Sequence, residues 1–372
     1  MCGIAGIWGQ ADVSLVKNMM SRVRHRGPDA EGMFVSQNGP GVLGHRRLSI
    51  MDPEGGDQPI YNEAKTMAVI ANGEIYNFPH LRAELAKRHK LYTTSDSEAI
   101  VHLYEDHGVS MVEHLDGMYA FVVADEHNLF AARDPIGIRP LYLGKKNGAW
   151  LFASELKAFP SNCDSVQEFP PGAFFHSDRG FSTFYTVPEV LSRPAPVKDY
   201  INNIRETLEN AVVKRLMSDV PLGAFLSGGL DSSIIAALAR KQMDRLHTFS
   251  VGIEGSRDLE AARLVSRHLD TIHHEYILTE QEVKDKLPEI IYYLESFDQD
   301  LVRSAIPCYF TSRLAADYVK VILTGEGADE LFGGYTYYKD IVDADFLHRE
   351  LRRSITSLHN INLQRVDRMT MA

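Results

Sequence analysis

Between Val187 and Lys198 the chain carries three prolines, Pro188, Pro194 and Pro196, and both the two-residue rhythm of strands and the 3.6-residue rhythm of helices stop there. The two sides of this break read differently. Before it, short β-rich runs alternate with glycine and proline: Ile4–Trp8, Gly41–Ile50, Met67–Ala71, Tyr119–Asp125, Asn128–Arg133, Pro140–Leu143 and Trp150–Ala153. Helical spacing is predicted at Leu81–Arg88 and at Ser97–Asp106, where Ile100, Leu103 and Tyr104 share a face. Stacked sheets covered by helices follow. Beyond the break helices and strands alternate, as Ile201–Met217, Leu222–Leu226, Ser232–Lys241, His247–Val251, Asp258–Leu269, Glu275–Leu278 and Val319–Thr324. That order predicts an α/β unit on a parallel sheet. The 372 residues therefore divide into a domain over 2–187, a proline-rich linker over 188–198 and a second domain over 199–372.

Composition narrows the partners. A formal charge of −11 disfavours a nonspecific hold on nucleic acid or an anionic membrane. No apolar run approaches the ~20 residues of a membrane span. Three widely spaced cysteines, Cys2, Cys163 and Cys308, make neither a disulfide framework nor a metal-ligand spacing, which predicts a reducing, cytoplasmic setting. The first residues lack the basic and apolar regions of a signal peptide.

Two features carry chemistry. The chain begins Met1-Cys2-Gly3-Ile4-Ala5-Gly6, so removal of Met1 would place a thiol and a free α-amine on one residue. An α-amine with a reference pKa of about 7.7–8.0 can relay the proton as the thiol attacks a carbonyl, and no catalytic histidine is required. By itself a small hydrophobe after the initiator is the commoner reading. The second feature is Phe225-Leu226-Ser227-Gly228-Gly229-Leu230-Asp231-Ser232-Ser233, where a buried strand should turn into a helix. Gly228 and Gly229 let backbone approach a ligand, Ser227 and Ser232 offer hydroxyls, and amides at a helix start favour an anion. Asp231 beside a phosphate implies Mg²⁺ between them. A second loop, Thr324-Gly325-Glu326-Gly327-Ala328-Asp329-Glu330, follows another predicted strand, with Asp329 as a second metal carboxylate and Glu326 as a base. A plain turn and a solvated helix start are the structural alternatives. Neither a Walker lysine motif nor a complete GxGxxG is present.

Taken together, the chain resembles the glutamine-dependent asparagine synthetases along essentially its whole length. In the first half the resemblance rests on Cys2-Gly3-Ile4-Ala5-Gly6, Arg24-His25-Arg26-Gly27-Pro28-Asp29, His45-Arg46-Arg47-Leu48-Ser49-Ile50, Asn72-Gly73-Glu74-Ile75-Tyr76-Asn77, Ser95-Asp96 and Ala132-Arg133-Asp134-Pro135-Ile136-Gly137. In the second it rests on the Ser-Gly-Gly-Leu-Asp-Ser loop. The resemblance implies a layered αββα glutaminase domain of the Ntn-hydrolase type and a parallel-sheet ATP-pyrophosphatase domain. Cys2 then attacks the glutamine amide, with the Asn72 side chain and the Gly73 amide as oxyanion donors. Arg47 pairs with the substrate α-carboxylate, Glu74 and Asp96 pair with its ammonium, and Ile50 lies in the glutamine site. In the second half ATP activates the β-carboxylate of aspartate as an adenylate, pyrophosphate leaves into the Ser227-to-Ser232 loop, and ammonia displaces AMP. The same resemblance places Asp231 and Asp329 on Mg²⁺, Glu326 as base for ammonia addition, Leu226, Val251 and Gly325 around adenosine, and Arg303 on the acceptor. Partners are small molecules, glutamine, aspartate and ATP; a homodimer is compatible, and neither nucleic acid nor membrane is expected.

Two departures from the family pattern stand out. Paired hydroxyl residues precede the acceptor arginine in the best-known members, whereas this chain has Asp300-Leu301-Val302-Arg303. The sequence also stops at Ala372, inside a segment that the family continues, so Phe332, Tyr335 and Tyr338 are expected to be more exposed than in a full synthetase. Amidation of a different carboxylate, or glutaminase activity alone, therefore stays open beside asparagine synthesis.

Overall fold

The computed structural model describes residues 1–36, 39–188 and 194–356. They group into two compact units, residues 1–188 with 352–356 in one and residues 194–351 in the other. Residues 189–193 of the expected linker lie outside the described residues.

In the first unit the strands are β1 (Gly3–Trp8), β2 (Ala30–Val35), β3 (Gly41–Arg47), β4 (Ile60–Tyr61), β5 (Ala68–Ile75), β6 (Gly117–Ala124), β7 (Leu129–Arg133), β8 (Tyr142–Lys146), β9 (Ala149–Ala153), β10 (Ser165–Glu168), β11 (Ala173–His176) and β12 (Gly180–Thr183). They form two six-stranded sheets, ordered β10-β8-β9-β1-β3-β2 and β12-β11-β7-β6-β5-β4. Helices α1 (Val13–Arg22), α2 (Phe78–Leu85) and α3 (Glu98–His107) supply the outer layers. Strand alternation produces the layering. Ile4 and Trp8 of β1, Leu43 of β3 and Phe152 of β9 face the core between the sheets, where they meet Ile70, Val122 and Phe175. Ala5, Ile7, Val42 and Leu151 face the other way, onto Val16, Met19 and Met20 of α1. A Cβ on Gly44 would lie 2.4 Å from the Met20 sulfur, so this position must be glycine for α1 to sit against the sheet. Each fully buried Phe contributes about 1.5–3 kcal/mol of transfer free energy, which holds the layers together.

The expected αββα arrangement is found, and all seven β runs named for this half fall on strands. Five strands, β2, β4, β10, β11 and β12, and one helix, α1, were not legible. Strands β10 and β12 are largely exposed, which removes the alternation a sequence reading relies on.

The second unit contains α4 (Val197–Lys214), β13 (Leu222–Phe225), α5 (Leu230–Gln242), β14 (His247–Gly252), α6 (Arg257–Leu269), β15 (Ile272–Ile277), α7 (Glu280–Leu294), α8 (Gln299–Ala315), β16 (Val321–Leu323), α9 (Ala328–Phe332) and the part of α10 (Ala344–Thr356) that runs to Leu351. Val197 and Lys198, read as linker, open α4. The sheet is parallel, ordered β15-β14-β13-β16. Leu222 and Ala224 pack with Ala236, Ala239 and Ala262 of α5 and α6, while Phe225 packs on the opposite face with Phe249, Ala315 and Val319. Helices α7 and α8 went unread because Pro288 and Pro307 sit inside them. The Thr279–Glu282 capping box was the available signal for α7. Phe332 is exposed and Tyr338 is buried, its ring 4.5 Å from that of Tyr337 in the turn Thr336–Asp340.

Candidate functional site

In the first unit Cys2, Arg47, Ile50, Asn72, Gly73, Glu74 and Asp96 line one cleft, together with Met1, Leu48, Met51, Gly56, Gln58, Ser95 and Ser97. Strand ends deliver them. Cys2 immediately precedes β1, Arg47 ends β3, and Asn72, Gly73 and Glu74 occupy the last half of β5. Asp96 stands just before α3. His45 Nε2, 3.0 Å from the Ala71 carbonyl, ties β3 of one sheet to β5 of the other one residue before Asn72. Burial pushes that imidazole down to about 4, so it is neutral.

The Cys2 thiol lies 3.6 Å from the Leu48 carbonyl and accepts from the Leu48 N–H at 3.4 Å. Burial pushes the thiol up, against the opposing charge of the chain-terminal ammonium and the Leu48 hydrogen bond. The α-amine of Met1 is pushed down to about 6, chiefly by burial; Cys2 opposes this, and Arg26 and Arg139 add to it. Asn72 is 1% exposed and its Nδ2 has no hydrogen-bond partner among the described residues. Such an orphan donor costs about 1–3 kcal/mol when left unpaired, and here it lies on the cleft that holds the thiol. A Cβ on Gly73 would come within 2.0 Å of the Met118 carbonyl oxygen, so only glycine passes there.

Arg47 is buried and its fork is fully supported. Nη1 donates to the Pro53 carbonyl (3.2 Å) and Asp57 (2.7 Å), and Nη2 donates to the Met51 and Asp52 carbonyls (3.0 and 2.6 Å). Asp96 accepts from the Ile75 N–H at 2.6 Å, and burial, with Glu74 adding to it, pushes its carboxyl up to about 7.

Three contributors were not singled out in the sequence. Arg139 pairs with Glu74 and places Nη1 3.0 Å from the Met1 sulfur. Arg26 donates from Nε to the Cys2 carbonyl at 2.8 Å and from Nη1 to Glu155 at 2.8 Å. Burial would raise the Glu155 carboxyl, but hydrogen bonds from His25, Lys157 and Arg26 outweigh it and hold it at about 2. Gln58 accepts from the Ala71 N–H at 2.6 Å. For Arg26 its motif was the available signal; Arg139 and Gln58 are joined to the site only by folding. A larger concavity, lined by Lys17, Ser21, Arg24, Glu31 and Arg46, has no thiol on its walls, and chemistry rather than size selects the cleft.

In the second unit two loops meet. Strands β13 and β16 are neighbours, and the strand order reverses between them, so their carboxyl ends open at the topological switch point where such sheets bind ligands. A Cβ on Gly325 would lie 3.0 Å from the Asp231 Cβ and 3.1 Å from the Ser232 nitrogen, which places the second loop directly against the first. Gly228 has φ +77° and a Cβ there would lie 2.5 Å from the Ala261 Cβ. Ser232 Oγ accepts from the Ser227 N–H at 3.2 Å and lies 3.0 Å from the Ser227 hydroxyl; Ser227 Oγ accepts from the Gly229 N–H at 3.3 Å. Asp231 and Asp329 stand in the first turns of α5 and α9, and Glu326 is exposed. The Leu226 side chain packs in the core. Val251 lies on β14, next to β13. Arg303 is exposed on α8, 3.6 Å from Asp300.

Residues 1–187 match the glutamine amidotransferase domain family and residues 203–344 match the asparagine synthase family. An asparagine synthetase [glutamine-hydrolyzing] of Oryza sativa subsp. japonica is 43% identical over the whole chain, which covers 66% of the rice protein. One from Arabidopsis thaliana is 43% identical, with 67% of its length covered, and a probable asparagine synthetase of Dictyostelium discoideum is 41% identical, with 72% covered. The chain belongs to the glutamine-hydrolysing asparagine synthetase family. It spans about two thirds of the length of these relatives. Within the family frame, the glutamine amidotransferase match contains every residue of the cleft, and the asparagine synthase match contains both acidic loops.

Proposed function

We propose that the first unit hydrolyses glutamine and that the second uses the ammonia for ATP-dependent amidation of aspartate to asparagine, through β-aspartyl-AMP, with AMP and pyrophosphate as products. One observation carries the reading: the buried Asn72 Nδ2 without a partner, on the wall of the cleft that holds the Cys2 sulfur. Preorganised donors of this kind stabilise a tetrahedral oxyanion.

Because burial keeps the Cys2 thiol protonated near neutrality, attack needs a base. An amine held at about 6 in this cleft is mostly unprotonated at pH 7, and removal of Met1 transfers that role to the Cys2 α-amine. The sulfur bonds to the amide carbon, the thiol proton passes through the amine to the leaving nitrogen, and ammonia departs. Water then hydrolyses the thioester to glutamate. The substrate α-carboxylate takes the place of the exposed Asp57 on Arg47, and its ammonium lies between Glu74 and Asp96.

In the second unit the Ser227-to-Ser232 loop receives pyrophosphate and Gly325 lies against it. Asp231 and Asp329, two carboxylates in the first turns of the helices that follow neighbouring strands β13 and β16, would hold Mg²⁺, which when bound would neutralise the leaving phosphates. Glu326 takes the proton from attacking ammonia, and Arg303 holds the acceptor carboxylate.

Mass spectrometry of the purified N-terminus, coupled to assays for glutamate, AMP and asparagine, tests the scheme. A chain beginning at Cys2 that forms all three products is expected. Cys2→Ala should abolish glutamine use and leave ammonia-driven AMP formation; glutamine hydrolysis at an undiminished rate in that variant would remove Cys2 from its role.

A further inference from the structure

Away from both sites, four side chains converge from three segments. Glu63 lies in the turn after β4, His89 follows α2, and His102 and Glu105 share one face of α3. One ligand atom from each lies within 4.8 Å of the others. His89 Nδ1 is 3.3 Å from Glu63 and 3.8 Å from Glu105, and His102 Nδ1 is 3.1 Å from Glu105 and 3.6 Å from Glu63. Three of these four separations exceed an ordinary N–H···O hydrogen bond of about 2.7–3.2 Å. Glu63 contributes Oε1 to the first of these contacts and Oε2 to the last, and the four separations bracket the edge of about 3.4 Å of a tetrahedron whose centre lies about 2.0–2.1 Å from its ligands.

From this geometry we infer that Glu63, His89, His102 and Glu105 form a binding site for one divalent transition ion of the zinc class. Both imidazoles turn Nδ1 inward and Nε2 outward. The outward His89 Nε2 is 3.1 Å from Asp106, whereas His102 Nε2, buried and 3.7 Å from Glu98, has no hydrogen-bond partner among the described residues. A carboxylate hydrogen-bonded behind a ligating histidine, as Asp106 is to His89, fixes the ring and its tautomer in metal sites. The two inner carboxylates are themselves oriented, Glu105 by Asn62 Nδ2 at 2.8 Å and Glu63 by the Lys90 N–H at 2.7 Å. Two imidazoles and two carboxylates are a donor set for zinc rather than for magnesium or calcium.

The site would staple the β4 turn, the end of α2 and the body of α3. Asp96 stands six residues before His102, about 9 Å away at helical rise, so the ion would steady the element beside the glutamine cleft without touching substrate. The inference does not depend on the activity proposed above.

Equilibrium dialysis of the chelator-stripped full chain against Zn²⁺, read by elemental analysis, tests it. One tightly held equivalent per chain is expected, with a raised Tm on loading and at least ~100-fold weaker binding in Glu63→Gln and in His89→Gln. Cobalt in place of zinc should give tetrahedral visible bands without a thiolate charge-transfer band, since no cysteine belongs to the set. Glu63 is an exposed turn residue, so its variant should keep the parent far-UV circular dichroism and give a clean comparison. Failure to bind a stoichiometric ion, unchanged affinity in folded Glu63→Gln, or a cobalt spectrum dominated by sulfur would overturn the site.

Discussion

Arg139, six residues beyond the end of β7, pairs its guanidinium with Glu74 at the end of β5, both side chains only about 15% exposed. Burial alone would lower the Arg139 pKa, but the Glu74 charge outweighs it and raises it. The pair fixes the carboxylate proposed to receive the glutamine ammonium. Arg139→Gln should therefore raise KM for glutamine about tenfold, a loss of about 1.4 kcal/mol, with a smaller fall in kcat. Steady-state glutaminase kinetics check this. A change confined to kcat would assign Arg139 to another step.

Asp96 sets a pH dependence with a definite sign. Its folded pKa of about 7 lies above the ordinary 3.8, so between these values the folded chain holds the extra proton and stability falls as pH rises. Above pH 7 the buried charge is a standing cost. Asp96→Asn should thus raise stability at pH 8 by on the order of a few kcal/mol, with little gain at pH 4, while weakening glutamine use at least tenfold. Thermal unfolding at the two pH values and glutaminase kinetics at pH 8 test both halves.

His45 works in the opposite direction. Its folded pKa of about 4 lies below the ordinary 6.5, so in that window the unfolded chain binds the extra proton and stability rises with pH. In parent protein this offsets the Asp96 slope. Unfolding free energy of Asp96→Asn measured from pH 4.5 to 6.5 should consequently rise with pH more steeply than that of the parent.

Oxyanion stabilisation predicts a distinct kinetic signature. Asn72→Ala should lower glutaminase kcat by about 10²–10³ with KM little changed, because the orphan amide is used in the transition state. Ammonia-driven AMP formation should persist in the same variant.

Gly325→Ala separates the two units. The added Cβ lies 3.0 Å from the Asp231 Cβ, tight enough to push the loops apart by a few tenths of an ångström. ATP-dependent AMP formation should drop at least tenfold while glutaminase kcat/KM stays within twofold of the parent, since Gly325 belongs to the second unit.

Particular residues show how far sequence reached. The α/β alternation after Lys198 and the β runs before Val187 were readable because alternating burial leaves a period in the text, as in Ile4 and Trp8 against Ala5 and Ile7. The exposed strand β12 and the proline-bearing helices α7 and α8 left no such period. The seven first-unit positions named from motif resemblance lie on one cleft, yet motifs said nothing of Gln58 or of the Arg139–Glu74 pair.

Local chemistry was thus written in the chain itself: a thiol one residue from the start, glycines where loops must pass close, and carboxylates at two helix openings. Folding decided which of those groups lose water and which lose partners. Burial lifts the Asp96 carboxyl, lowers the Met1 amine and strands the Asn72 amide, and these effects depend on atoms brought together from strands far apart in sequence. Solvent exclusion is a property of packing, so no local pattern of residues encodes it.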